Sequence, residues 1–106
     1  MNDWTAVCKQ DELKPGAFQV VDVDDVAIAV FNVDGQLFAV EDICTHDGSP
    51  LTGGGVDAHQ VICPRHGARF CLRSGRALTP PAYEPIAVFP VRIENDTIYV
   101  RDDRWD

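Results

Sequence analysis

Two short segments of the sequence each combine one cysteine with one histidine. The first is Cys44-Thr45-His46, and the second, sixteen residues further on, is Cys63-Pro64-Arg65-His66. Thiolates and imidazoles are donors that bind zinc and iron in proteins. Each segment, called an arm below, therefore supplies one sulfur and one nitrogen donor to a predicted metal centre.

Two kinds of metal centre use two cysteines and two histidines. A zinc site usually groups like donors, with C-x₂₋₄-C followed by H-x₃₋₅-H. Here each arm mixes its donors, and C-x-H is a tight spacing for a single zinc ion. In a binuclear iron–sulfur cluster, one iron takes both cysteines and the other takes both histidines. The pattern favours a [2Fe–2S] cluster, with zinc as the alternative.

The segments around the arms have the character of β-strands. They are short and rich in Val, Ile and Phe, and Asp34-Gly35 is a strong two-residue hairpin signal. No window has a helical period longer than about two turns. Many short strands joined by turns predict an all-β sandwich or barrel. The predicted strands are 17–23, 26–33, 36–40, 59–63, 68–72, 86–93 and 97–101.

Two regions interrupt the strands. Residues 43–56 contain the first arm and several glycines, and residues 79–85 contain three prolines. Proline has no backbone N–H and a fixed φ, so the second region, called the proline loop below, is predicted to be a stiff loop. Both arms directly follow strand-like segments, which can hold the donors in place.

Length and charge exclude several classes of protein. A chain of 106 residues predicts one domain, residues 1–106. The net charge of −8 argues against binding nucleic acid. No apolar run approaches the roughly 18 residues that span a membrane, and the first residues lack a secretory signal. We therefore expect a cytoplasmic protein without a membrane anchor.

The arms and the proline loop together resemble the Rieske family over essentially the whole chain. C-T-H at 44–46, C-P-x-H-G at 63–67 and the proline loop stand in the family's order and spacing. The resemblance implies an antiparallel β-sandwich base with a small cluster-binding subdomain, about residues 43–80. It also implies a shielding role for the proline loop. By the same resemblance, Cys44 and Cys63 ligate the inner iron, while His46 and His66 ligate the outer, solvent-facing iron.

Four positions depart from the high-potential Rieske proteins of cytochrome bc complexes. Ser49 and Arg65 stand where those proteins carry two further cysteines that form a disulfide. Ala68 and Phe70 stand where they carry a serine and a tyrosine that hydrogen-bond to sulfur. Hydrogen bonds to sulfur stabilise the reduced cluster, so fewer of them predict a lower reduction potential. We expect a value at the low end of the Rieske range, which runs from about −150 to +300 mV.

These features resemble the ferredoxin of bacterial aromatic-ring-hydroxylating dioxygenase systems. The resemblance implies an electron carrier, not a catalyst by itself, that passes single electrons from an NAD(P)H-dependent flavin reductase to a terminal oxygenase. We expect it to be a monomer. The alternatives are a Rieske ferredoxin for a monooxygenase or another redox enzyme, and a zinc-stabilised interaction module.

Three further residues of the types that bind metals lack the arms' spacing. Cys8 and Cys71 are interpreted as packed thiols. His59 lies in the apparent turn 57–60 and is interpreted as a surface residue.

Overall fold

The structure is a computed structural model that describes residues 4–45, 48–80 and 82–104. Its regular elements are strands, apart from one 3₁₀ turn at Gln10–Glu12. None of the described segments forms a helix with the length and apolar character needed to cross a membrane. In chain order the strands are β1 Thr5–Lys9, β2 Phe18–Val23, β3 Val26–Val33, β4 Gln36–Glu41, β5 Val56–Asp57, β6 Gln60–Ile62, β7 Arg69–Cys71, β8 Val88–Phe89, β9 Val91–Glu94 and β10 Thr97–Val100.

The strands form three antiparallel sheets. The terminal sheet has the order β1-β10-β9, the central sheet β2-β3-β4-β8, and the small sheet β5-β6-β7. Every strand pair in the described residues is antiparallel. The predicted all-β, antiparallel class is confirmed.

Two-residue turns with positive φ at both residues close three of the hairpins. Asp34 and Gly35 have φ values of 53° and 92°, and the side-chain oxygen of Asn32 accepts a hydrogen bond from the Gly35 N–H at 2.8 Å. Positive φ at both turn residues matches the right-handed twist of the flanking strands. The turns at Asp24-Asp25 and Asn95-Asp96 have the same signs of φ.

Strand β3 of the central sheet is buried on both faces. On β3, Ile28 and Val30 pack into a core shared with Ile98 of the terminal sheet. The alternating residues Ala29 and Phe31 pack into a second core on the opposite face, together with residues of the small sheet. A strand buried on both faces requires a nearly continuous apolar sequence, as 26–31 has.

The single strand predicted over residues 86–93 is two strands in the structure. Pro90 divides it into β8, which pairs with β4, and β9, which pairs with β10. Proline cannot donate to a sheet ladder, so the chain passes from one sheet to the other at this residue.

Strands β1 and β5 were not predicted. In β1 a register shift between Ala6 and Cys8 breaks the alternation of apolar and polar residues. Strand β5 has two exposed residues and therefore no periodic signal. Both are recognisable only from their partners, β10 and β6.

Candidate metal centre

The two arms have the same backbone hydrogen-bond pattern. The N–H of Cys44 donates to the carbonyl of Ser49 at 2.7 Å, and the N–H of Cys63 donates to the carbonyl of Ala68 at 2.8 Å. Each cysteine is thereby joined to the residue five positions further on. In both arms a backbone hydrogen bond therefore holds the cysteine next to the chain that follows the donor segment.

A glycine completes each loop four residues after the cysteine. The N–H of Gly48 donates to the carbonyl of Cys44 at 2.7 Å, and the N–H of Gly67 donates to that of Cys63 at 3.0 Å. These glycines have φ values of 78° and 73°, which side chains with a Cβ rarely adopt. The shared hydrogen bond and the positive φ explain why both sequences have a glycine four residues after the cysteine.

The predicted ligands differ sharply in exposure. Cys44 is 0% exposed and Cys63 is 1% exposed, and neither forms a disulfide. His66 lies on the exposed turn of the second arm. His46, the remaining predicted ligand, lies outside the described residues. Two buried thiols beside an exposed imidazole fit a cluster with an inner, cysteine-bound iron and an outer, histidine-bound iron.

The two cysteines belong to one buried apolar cluster. The structure therefore brings the two predicted sulfur donors into the same core, although eighteen residues separate them in sequence. An apolar surrounding limits water and tunes the potential of an iron–sulfur cluster. The other members of this core nearest the arms in sequence are Leu51, Val61, Ala68 and Phe70, and Ala82 joins from the proline loop.

No three His, Cys, Asp or Glu side chains converge on a possible single-ion site within the described residues. A binuclear cluster of the predicted type requires two protein donors at each iron.

Asp42 is a further residue of the site, which the sequence pattern did not indicate. Its Oδ1 accepts hydrogen bonds from the N–H groups of Leu51 at 2.8 Å and Thr52 at 3.0 Å. Its Oδ2 accepts a third from the Thr52 hydroxyl at 3.1 Å. The carboxylate thus joins the two ends of the segment that carries the first arm. Two of its three donors are backbone N–H groups, which every residue except proline has, so they leave no pattern in the sequence. The only local signal was an acidic residue two positions before Cys44.

The proline loop is joined directly to the first arm. The hydroxyl of Thr45 donates to the carbonyl of Glu84 at 2.7 Å. Ala82, two residues earlier, is 3% exposed within the same core as the cysteines. The loop therefore lies against the arms, where its predicted shielding role requires it.

The residues expected to lower the potential lie where they can act on the site. Ala68 and Phe70 are both 0% exposed and share the core of Cys63. Neither side chain has a hydroxyl group to donate.

The thiols outside the arms are half-buried rather than part of the core. Burial raises the pKa of Cys8, and the Glu12 carboxylate raises it further. Hydrogen bonds from Ser74 lower the pKa of Cys71 below its usual value. The two thiols therefore differ in the fraction of thiolate that each presents.

His59 is half-buried in the turn between β5 and β6. Its ring lies edge-on to Phe38 with 5.5 Å between centroids, and its Nε2 is 3.2 Å from a guanidinium nitrogen of Arg73. These contacts join the small sheet to the central sheet and give His59 a packing role.

Fold and site together define a small antiparallel β protein with two Cys/His loops around an apolar core. The family model of the Rieske [2Fe-2S] domain matches residues 3–90. The chain belongs to this family and carries one Rieske-type [2Fe–2S] cluster, which decides against the zinc alternative. The predictions of family, fold and cofactor are confirmed.

Individual proteins similar to this chain are ferredoxins of dioxygenase systems. The biphenyl dioxygenase ferredoxin subunit of Pseudomonas sp. (strain KKS102) is 42% identical over 98 residues, 92% of this chain and 90% of that protein. The ferredoxin of carbazole 1,9a-dioxygenase from Nocardioides aromaticivorans IC177 superposes with a TM-score of 0.90. It is 27% identical, and the match covers 96% of this chain and all of that one.

A further solved relative is part of a complex of reduced oxygenase and oxidized ferredoxin in carbazole 1,9a-dioxygenase. The matching chain has a TM-score of 0.88 and 33% identity, with 94% of each chain covered. The predicted kind of protein, a ferredoxin of a dioxygenase system, agrees with these three relatives.

Proposed function

We propose that Cys44 and Cys63 ligate the inner iron of the cluster and that His46 and His66 ligate the outer iron. The support is the burial of both cysteines, the exposure of His66 and the shared loop geometry of the two arms. The donor set of two thiolates and two imidazoles is the Rieske set.

The function that this site supports best is the transfer of single electrons to a terminal oxygenase. When bound, the cluster accepts and releases one electron at a time. The observation that carries the function is the exposed His66 beside the buried Cys63. The cysteines hold the centre in the core, while the imidazole side faces a docking partner.

We infer two partners: the oxygenase is supported by the solved complex of a related ferredoxin, and the reductase by the resemblance to dioxygenase ferredoxins. The electrons come from an NAD(P)H-dependent flavin reductase, and the acceptor is the terminal oxygenase of an aromatic-ring-hydroxylating dioxygenase. A hydride donor delivers two electrons and each cluster accepts one, so the oxidation of one NAD(P)H reduces two ferredoxins. The ferredoxin itself transforms no organic substrate and is not an enzyme alone.

We also propose that residues 1–106 form a single Rieske domain, with its cluster-binding part at about 43–80. The small sheet and both arms lie within this range. The protein acts as a monomer in the cytoplasm, where NAD(P)H is available to its reductase.

A spectroscopic experiment tests the cofactor and its ligands. The purified protein should contain iron and acid-labile sulfide in equal amounts and give a Rieske-type electron paramagnetic resonance signal after reduction. Cys63→Ala and His66→Ala should lose this signal, whereas Cys71→Ala, which removes a thiol outside the arms, should keep it. Full retention of the signal by either ligand variant would disprove the assignment.

A reconstituted assay tests the function. The protein is mixed with NADH, the reductase and the terminal oxygenase of the Pseudomonas KKS102 biphenyl dioxygenase, whose ferredoxin is 42% identical. We expect biphenyl oxidation that depends on this protein. Rapid reduction by the reductase without any transfer to this oxygenase or to the carbazole 1,9a-dioxygenase would contradict the proposed acceptor.

A further inference from the structure

Tyr83 is the most exposed large hydrophobic side chain in the described part of the chain. It exposes 82% of its surface, whereas the others exposed on the strands, such as Phe18 and Ile93, expose 45% and 46%. Two residues of the same segment are buried, since Ala82 is 3% and Ile86 is 4% exposed, whereas Glu84 and Pro85 lie at the surface. The segment therefore packs Ala82 and Ile86 into the core and presents the aromatic ring of Tyr83 to the solvent.

The loop around Tyr83 is fixed at several points. The Thr45 hydroxyl donates to the carbonyl of Glu84 at 2.7 Å, directly after Tyr83. The N–H of Ile86 donates to the carbonyl of Gly75 at 2.8 Å. Prolines at 80 and 85 further restrict the backbone. Little conformational entropy remains for a partner to remove from this segment.

The position of Tyr83 relates it to the electron-transfer site. Thr45, which holds Glu84, lies between the two donors of the first arm. Any protein that covers the cluster end of the molecule must approach this loop. Leu78 and Pro80, also exposed, extend the apolar surface along the same loop.

We infer that Tyr83 is an anchor for the terminal oxygenase, inserting its ring into an apolar pocket of that partner beside the point of electron transfer. The inference rests on the proposed function. Rigid, exposed aromatic rings bind with a small loss of side-chain entropy and are over-represented among the residues that dominate interface energies. The oxygenase is the chosen partner because a solved relative of this fold forms a complex with its oxygenase.

The experiment compares three variants of the cluster-loaded protein. Tyr83→Ala removes the ring, Tyr83→Phe keeps the ring without the hydroxyl, and Ile93→Ala truncates an exposed apolar residue on β9. Oxidation of each prereduced variant is followed by stopped flow at increasing concentrations of the KKS102 biphenyl dioxygenase oxygenase. Midpoint potentials and the rate of reduction of each oxidised variant by the KKS102 reductase are measured in parallel.

For Tyr83→Ala we expect the half-saturating oxygenase concentration to rise about tenfold or more, the effect of losing an anchor residue. The rate at saturation, the midpoint potential and the paramagnetic resonance spectrum should stay unchanged. Tyr83→Phe should lie within about twofold of the original protein, and Ile93→Ala should match it.

Three results would count against the inference in different ways. Equal half-saturation for Tyr83→Ala and the original protein would overturn the anchor while leaving the proposed function intact. A defect confined to reduction by the flavin reductase would overturn the choice of partner. Failure of the original protein to reduce this oxygenase or that of carbazole 1,9a-dioxygenase would instead overturn the proposed function, and with it the anchor.

Discussion

The carboxylate of Asp42 accepts a hydrogen bond from the backbone N–H of Leu51 at 2.8 Å and closes the segment that contains the first arm. Asp42 is itself fixed, because its N–H donates to the carbonyl of Ala27 on the central sheet at 2.9 Å. Leu51 is fully buried in the core that also contains Cys44. The central sheet therefore positions the first arm in two ways: through the backbone that continues from β4, and through the side chain of Asp42.

Replacing Asp42 by alanine should loosen the first arm. Two backbone N–H groups lose a charged acceptor, at a cost of about 2 kcal/mol. For a protein of this size, the midpoint of thermal unfolding should fall by about 10 °C. The same variant should lose the visible absorbance of its cluster faster at a fixed temperature below that midpoint.

Asp42→Asn distinguishes hydrogen bonding from charge at this position. The amide oxygen of asparagine still accepts from both N–H groups, so this variant should recover most of the lost stability. Asp22→Ala, which removes an exposed carboxylate on β2, serves as the control. Equal stability of Asp42→Ala and Asp22→Ala would show that Asp42 does not position the arm.

Gly54 lies against the backbone of the second arm, with no room for a side chain. A Cβ at this residue would lie 1.9 Å from the carbonyl oxygen of Ile62 and 2.8 Å from the nitrogen of Pro64. Both atoms belong to the backbone on either side of Cys63, so Gly54→Ala must displace the second arm. We expect a loss of about 1 to 3 kcal/mol in unfolding free energy, and a broadened or shifted resonance spectrum of the reduced cluster.

Gly53→Ala is the matched control for this prediction. Its Cβ would meet no atom within 4 Å, although its φ of +105° makes alanine strained there. Strain alone should lower stability while leaving the spectrum unchanged. If Gly53→Ala perturbs the spectrum as strongly as Gly54→Ala, the steric explanation fails.

Local features of the site were predictable from the sequence. Each arm contains its donors within four residues, and a two-residue turn such as Asp34-Gly35 has a local signature. The run from Val26 to Phe31 likewise indicates a buried strand. These features depend on neighbouring residues, so one sequence is enough to find them.

Contacts between distant segments were not predictable. The hydrogen bond from Thr45 to Glu84 spans 39 residues, and either residue alone is typical of a surface loop. Strand β5 exists only because β6 lies beside it. Pro90 is a different case, since a proline within a predicted strand signals a break that the strand assignment did not use.

Cys71 should react with alkylating reagents faster than Cys8. Its pKa is lowered, chiefly by the hydrogen bond from the Ser74 side chain, whereas burial raises the pKa of Cys8. The thiolate is the reactive form, so below the usual thiol pKa of 9.0 Cys71 presents the larger reactive fraction. Iodoacetamide labelling at neutral pH, read by peptide mass mapping, should show a several-fold difference.

The pH dependence and a variant check this explanation. The difference between the two thiols should shrink only when the pH exceeds the raised pKa of Cys8, because both are then thiolates. Ser74→Ala removes the hydroxyl and should slow Cys71 towards the rate of Cys8. A rate for Cys71 that is unaffected by Ser74→Ala would exclude this hydrogen bond as the cause.

Ala68→Ser should raise the midpoint potential of the cluster. Residue 68 is fully buried, and its carbonyl accepts from the N–H of Cys63 at 2.8 Å, so a hydroxyl there is added next to a proposed ligand. A hydrogen bond that stabilises the reduced state by about 1 kcal/mol raises a one-electron potential by about 40 mV. We expect the unchanged protein near the low end of the Rieske range and the variant above it.

Ala29→Ser provides the control, because Ala29 is equally buried in the same core but lies on β3 rather than in an arm. Adding a hydroxyl there should cost stability without moving the potential. Protein-film voltammetry at one pH measures all three proteins under identical conditions. An equal rise in both variants would mean that a general change of polarity in the core, and not a hydrogen bond at residue 68, raises the potential, and no rise in Ala68→Ser would contradict the prediction.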